Sequence, residues 1–307
     1  MPGQGVAILG IFVADLAFRS GRMPAVGETI AGSGFAMGPG GKGSNQAVAA
    51  ARAGASVRFV SKLGRDAFGD IAVATWEREG IAPHVARVET ATGAAFIYVN
   101  EVNGENAIIV VPGAAGSLSP GDVEAARDAI ASAAVFVTQL EQPQDAALRG
   151  LEIAREAGVA TIFNPAPAAP VDDVFYGLSS FVVPNETEAA ALTGLPLRSL
   201  DDARRAGDWF LAKGAGTALI TLGERGVLLH GRGASDHVPA VAAGPVVETA
   251  GAGDAFVGAF AAALAKGLDP LAAARFGAAA AGISVTRPGT APSMPHLDEV
   301  QALLARA

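Results

Sequence analysis

Residues 38–64, GPGGKGSNQAVAAARAGASVRFVSKLG, pass from a glycine-rich loop through an alanine-rich helix pattern into a short apolar strand pattern. Gly38, Gly40 and Gly43 satisfy G-x-G-x-x-G, the phosphate-binding turn of a dinucleotide fold. That fold needs the glycines directly after its first strand and an acid at the end of the next one. Here the first strand pattern, VAILG at 6–10, closes far ahead of the loop, and VRFVSKLG ends without an acid. A Walker A loop fails as well, because Lys42 is followed by Gly43 and not by Ser or Thr. What remains is a glycine loop with one cation and the Asn45 amide at the mouth of a helix. Its amides and Lys42 donate while Asn45 donates and accepts, a set suited to a hydroxyl-rich ligand. A glycine turn capped by Ser44 or Asn45 fits the same residues.

Outward from this stretch the pattern repeats. VAILG, VRFVSKLG, AVFVTQLE, VATIFNPA, FVVPNETE and TALITLGE are short β-branched runs, separated by helix-like stretches such as 121–134, 146–157 and 200–213. Strands alternating with helices predict an α/β fold with a doubly wound, mostly parallel sheet. Ligands of such sheets bind beyond the carboxyl ends of the strands. Residues 17–37 and 93–111 break the rhythm, with alternation and turn signals but no helix, and Asn103-Gly104 reads as a hairpin turn. They predict a small accessory β-sheet, a lid, inserted into a single 1–307 domain.

Composition narrows the function. Half of the 307 residues are apolar and only 17% are charged, as in a compact globular chain. A net charge of −8 argues against nucleic acid or an anionic membrane as partner. Cysteine is absent, which removes disulfides and thiolate chemistry. No apolar run reaches the roughly 20 residues of a membrane span, so the expectation is a soluble, cytoplasmic protein. The four histidines show no metal-ligand spacing.

Three further motifs carry chemistry. In ETAGAGDAFVGAF, 248–260, Gly251, Ala252 and Gly253 set backbone N–H groups at a helix start, with Asp254 in its first turn. An anion hole beside a carboxylate is what phosphoryl transfer requires, although an acid in a first turn also serves the helix dipole. In VVPNETEAAALTG, 182–194, Asn185 and Glu188 have capping-box spacing, and both also sit where an amide meets a phosphate and a carboxylate holds hydrated Mg²⁺. In LITLGERG, 219–226, Thr221 and Gly223 are placed either to line a nucleotide or to turn a hairpin. Asp15 and Glu141 are acids just past strands, a position shared by ligand contacts and plain surface charge.

Taken in order, GGKGSNQAVAAARAGA, QLEQP, NPAPA, PNETEAAALTG, TLGERG and TAGAGDAFVGAF resemble the ribokinase-like (PfkB) carbohydrate kinases, above all their ribokinase branch, over nearly the whole chain. The resemblance implies ATP-dependent phosphorylation of the primary hydroxyl of a pentose, D-ribose first, giving the 5-phosphate. It implies Asp254 as base and Gly251, Ala252 and Gly253 as anion hole. Asp15, Gly41, Lys42, Asn45 and Glu141 become the sugar contacts, Asn185, Thr221 and Gly223 the nucleotide contacts, and Glu188 the Mg²⁺ residue, through water. Glu248, Ala250, Val285 and Gly289 would form a monovalent-cation site for K⁺ as an activator. The accessory strands would be the lid that also clasps two subunits into a homodimer.

Two positions depart from the family pattern. Val13 stands where ribokinases carry an asparagine that meets sugar hydroxyls, which points to weakened selectivity for ribose over 2-deoxyribose. Glu248 stands where the cation-activated members have aspartate. The competing readings are a kinase for another sugar, such as a ketohexose, or for a nucleoside; a non-catalytic sugar-binding protein on the same fold; and a nicotinamide-dependent oxidoreductase.

Overall fold

The computed structural model describes residues 5–306. The strand Val6–Leu9 (β1) is four apolar residues, all buried. Such a strand has no polar side to offer solvent and needs cover on both faces, the signature of an interior parallel strand. The remaining strands are β2 (Val13–Ser20), β3 (Gly34–Gly40), β4 (Val57–Gly64), β5 (Ala82–Val88), β6 (Thr92–Asn100), β7 (Asn106–Gly113), β8 (Val135–Thr138), β9 (Ala160–Phe163), β10 (Phe181–Val182), β11 (Thr217–Thr221), β12 (Val227–Gly231) and β13 (Ala234–Val238). The α-helices are α1 (Lys42–Arg52), α2 (Ala67–Arg78), α3 (Pro120–Ala125), α4 (Arg127–Ala131), α5 (Gln144–Glu156), α6 (Val174–Gly177), α7 (Glu186–Thr193), α8 (Leu200–Ala212), α9 (Ala252–Ala265), α10 (Pro270–Ser284) and α11 (Leu297–Leu304).

Nine strands form the main sheet in the order β13-β12-β11-β10-β9-β8-β1-β4-β5. All neighbours are parallel except β11–β12 and β12–β13. Alternate residues of β1 feed two cores: Val6 and Ile8 join the side with α1, α9 and α10, while Ala7 and Leu9 join the side with α5 and α8. The chain winds outward from β1 in both directions, which makes the gap beyond the ends of β1 and β8 the switch point where ligands settle. The α1–α9 crossing lies there. It is close because Gly258 has no side chain: a Cβ would meet Gln46 O at 2.4 Å and Ala49 Cβ at 2.6 Å.

A separate four-stranded sheet, β3-β2-β6-β7, forms the lid. It is wider than the accessory segments expected at 17–37 and 93–111. It starts at Val13, because the apolar run after β1 breaks at residues 10–12 and leaves one sheet for the other. Residues 21–33 contribute no strand. The hairpin between β6 and β7 turns over residues 101–105, with Gly104 at φ 76°. The helix expected over 121–134 is two short helices, α3 and α4, meeting at Ala126.

Candidate active site

Gly251 opens α9 in the left-handed conformation, φ 79°, with no side chain capping the helix. A Cβ there would come within 3.1 Å of Thr290 Cα, so glycine serves both the turn and the contact. The uncapped first turn presents amides to the cavity, and Asp254 follows three residues on. Asp254 is buried, and both its oxygens are occupied: Asn45 Nδ2 donates to Oδ2 and Gln46 Nε2 to Oδ1, each at 3.0 Å. Asn45 and Gln46 belong to the first turns of α1, so the α1–α9 crossing brings the glycine loop and the GAGD run together.

A cavity of about 130 Å³ is lined by Lys42, Asn164, Ala166, Val183, Asn185, Glu188, Thr221, Gly251, Gly253, Asp254 and Val257. Six of the sequence-predicted groups, Lys42, Asn185, Glu188, Thr221, Asp254 and the glycine amides, therefore share one space. Asn185 and Glu188 also form a reciprocal capping box, at 2.8 Å in each direction, so the structural and functional readings of that motif coexist. Glu188 keeps its second oxygen Oε1 for the cavity. Of the residues predicted for the nucleotide and the anion hole, two stand apart. Gly223 lies in a 3₁₀ turn over Gly223–Arg225 outside the cavity, and the Ala252 N–H is turned to Thr249 O at 3.3 Å.

Four acids gather around one cation. Burial raises the pKa of Asp254 against the opposing pull of Lys42, Asn45 and Gln46. Burial likewise raises Glu188, and it pushes Asp15 up to about 6 and Glu141 to about 7, with neighbouring carboxylates adding to both. Lys42 is burdened by desolvation, yet Asp254, Glu141 and Glu188 outweigh it and raise its pKa. Such a site binds a polyphosphate only with added positive charge. The free Glu188 oxygen among these acids fits a hydrated Mg²⁺, which prefers a carboxylate plus waters.

Toward the lid, Glu141 Oε2 accepts the Lys42 N–H at 2.7 Å, tying the segment after β8 to the start of α1. Asp15 lies within lid strand β2, with its carboxylate where a Gly40 side chain would stand. Gly41 N-caps α1. Buried Asn45 Oδ1 has no hydrogen-bond partner among the described residues, an acceptor that a ligand hydroxyl would satisfy. Val13 is buried in β2, two residues before Asp15 and therefore on the same face of the strand.

Two of the residues expected to hold a monovalent cation already make hydrogen bonds within the chain. Glu248 Oε2 already accepts the Gly289 N–H at 2.8 Å, and Val285 O accepts the N–H groups of Val247 and Glu248 at 2.8 and 3.2 Å. The extra methylene of glutamate lets the carboxylate span the two loops itself.

Sequence reasoning missed Gln46, Gln139 and Asn164, which build a buried amide chain behind Asp254. All three lie within quoted motifs, GGKGSNQ, QLEQP and NPAPA, but nothing in those motifs singles out an amide.

Comparison with known proteins shows the family and the fold. Residues 4–297 match the model of the pfkB family carbohydrate kinases. A deoxyribokinase of Salmonella typhi is 37% identical over 303 residues, covering 98% of each chain. A ribokinase of Staphylococcus aureus is 38% identical over 302 residues, covering 96% of this chain and 98% of the relative. The structure of Arabidopsis thaliana ribokinase complexed with ribose and ATP superimposes with a TM-score of 0.91 at 30% identity, covering 98% of this chain and 99% of the other.

Proposed function

This chain belongs to the pfkB family of carbohydrate kinases, and from that premise we propose that it transfers the γ-phosphoryl group of ATP to the primary hydroxyl of a pentose, D-ribose, giving ribose 5-phosphate. The observation that carries the proposal is Asp254, held by two amides in one cavity with the Gly251 and Gly253 amides, Lys42 and Glu188.

In this reading Asp254 orients the sugar hydroxyl and accepts its proton as the new oxygen–phosphorus bond forms. The bond from the γ-phosphorus to the β–γ bridging oxygen breaks, and ADP leaves. The Gly251 and Gly253 amides meet the charge on the transferring group, where preorganised donors are worth most. Lys42 neutralises that charge further, and Asn185 and Thr221 position the nucleotide phosphates. Glu188 would hold a hydrated Mg²⁺, which would supply the charge neutralisation that the acidic site lacks. Asp15, Gly41, Asn45 and Glu141 hold the sugar hydroxyls. The lid excludes water, which would otherwise compete for the phosphoryl group.

A second sugar is favoured by one residue. Val13 offers no hydrogen bond on the Asp15 face of β2, so a ribose hydroxyl buried against it goes unpaired, costing about 1–3 kcal/mol. The enzyme therefore accepts 2-deoxyribose with kcat/KM within about tenfold of ribose. Measuring ADP release over a panel of pentoses, ketohexoses and nucleosides tests both statements. A ketohexose or nucleoside as best acceptor would overturn the pentose assignment, and a strong preference for ribose over 2-deoxyribose would sink the role of Val13. We also propose a homodimer formed through the outer face of the lid, supported by the apolar side chains exposed there, Phe35, Met37 and Ile109 among them.

A further inference from the structure

We infer that Gln46 is the residue that positions the general base, through a buried relay of amides whose orientations are all dictated by acceptor-only groups at its ends. Gln46 is fully buried in the second turn of α1. Its Nε2 donates to Asp254 Oδ1 and to Asn164 Oδ1, both at 3.0 Å, and its Oε1 accepts from Gln139 Nε2 at 2.6 Å. Asn164 Nδ2 in turn donates to Val183 O at 2.7 Å. An ionised carboxylate and a backbone carbonyl can only accept. The amino group of Gln46 must therefore face Asp254, its carbonyl must face Gln139, and the Asn164 oxygen must face Gln46. No amide in the relay can flip without setting two acceptors or two donors against each other.

The relay also reaches across the fold. It joins α1 to α9, to the segment after β8 and to the segments after β9 and β10, all at the switch point. Asp254 is thereby held by two consecutive residues of one helix, Asn45 at one oxygen and Gln46 at the other, leaving one lone pair on each for substrate. Asn45 also keeps an unpartnered oxygen, which in the proposed function takes a sugar hydroxyl. Gln46 makes no such turn outward, and its hydrogen-bonding capacity is spent on holding the base and its supports. The charged groups that face Asp254 are Lys42 from α1, Asp15 from β2, Glu141 after β8 and Glu188 from α7.

The inference rests on Asp254 being the base, so the experiment carries Asp254→Asn beside the Gln46 variants. Gln46→Leu keeps the bulk and removes the donor. A loosened base loses about 10- to 100-fold in kcat with both Michaelis constants nearly unchanged. The hydrogen bond to the ionised form is gone too, so the acid limb of the kcat profile moves up by about one pH unit, a tenfold change in proton affinity. Gln46→Glu, nearly isosteric, sets a second carboxyl against Asp254; it loses more and moves the limb further, and it decides the matter if the leucine variant does not fold. A folded Gln46 variant with kcat within about threefold of the parent, or with its acid limb unmoved despite a lower kcat, overturns the positioning role. Asp254→Asn is expected to lose several orders of magnitude in kcat. If it does not, the reading of Asp254 as base fails first, whereas an inactive Asp254→Asn beside normal Gln46 variants strikes only the relay.

Discussion

Asp15 and Glu141 enter the site with their acid forms favoured, Asp15 up to about 6 and Glu141 to about 7, burial being the main cause in both. Both folded values exceed the ordinary carboxylate values of 3.8 and 4.5, so between those values and about 7 the folded chain holds protons that the unfolded chain releases. Stability from these groups is therefore full at lower pH and falls as pH rises through that window. Sugar hydroxyls donate best to the ionised forms, so ligand binding recovers what ionisation costs. The melting temperature of the sugar-free protein should fall from about pH 5.5 to about pH 7.5, while the upward shift given by ribose grows over the same range. The kcat/KM for ribose should rise through pH 6–7 in step, since it reports groups of the free enzyme, and Glu141→Gln should flatten its upper part. An equal ribose shift at both pH values would refute the assignment of these acids to the sugar. The turn that carries Gly251, Gly253 and Asp254 was legible in the sequence because its geometry is local. Gln46 was not, because its partners lie 93 to 208 residues away and an amide has no motif.

At the scale of elements, the site depends on how closely α1 and α9 approach. Asp254 and Gly258 are four apart and share the face of α9 that meets α1. Gly258→Ala places a Cβ 2.4 Å from Gln46 O and 2.9 Å from Ala50 N, both backbone atoms that cannot swing aside. The helices must separate, at a cost of about 1–3 kcal/mol for overpacking. Because Asp254 moves relative to Gln46, kcat should drop by at least about tenfold, while the KM for ATP changes little. Denaturant midpoints and steady-state rates, with Gly177→Ala in open space as control, provide the measurement. A Gly258→Ala enzyme with full kcat would mean that the crossing does not set the base. The alternation of strand and helix was readable because each run matched one period. The start of the lid was not, since the apolar character of VAILGIFVA continues past the break and only tertiary pairing, Val13 against Gly40 and Gly93, reveals the change of sheet.

For the molecule as a whole, the main sheet places most of the proposed site beyond its strand ends, but two of the proposed sugar contacts come from elsewhere. Asp15 arrives on β2 and Gly41 directly after β3, both strands of the lid sheet. The lid is thus a wall of the site, and anything that steadies it steadies the sugar. Thr290 Oγ1, beside the anion-hole turn, reaches Pro39 O of β3 at 3.3 Å and links the two parts from within the chain. The outer side is left bare. Phe35 is 60% exposed and Ile109 62%, and β7 carries four consecutive exposed apolar residues from Ile108 to Val111 at the edge of its sheet. An apolar edge strand of this kind invites pairing or aggregation unless something covers it. A second copy supplies matching cover, because the same face on both subunits satisfies a twofold interface. Sedimentation at micromolar concentration should therefore show a dimer, and Ile109→Glu should shift it to monomer by burying a charge at the interface. The variant should lose sugar affinity more than ATP affinity, since the wall that carries Asp15 loses its outer support. A wild-type monomer would refute the clasp, and a monomeric Ile109→Glu with unchanged ribose KM would separate subunit contact from the sugar site.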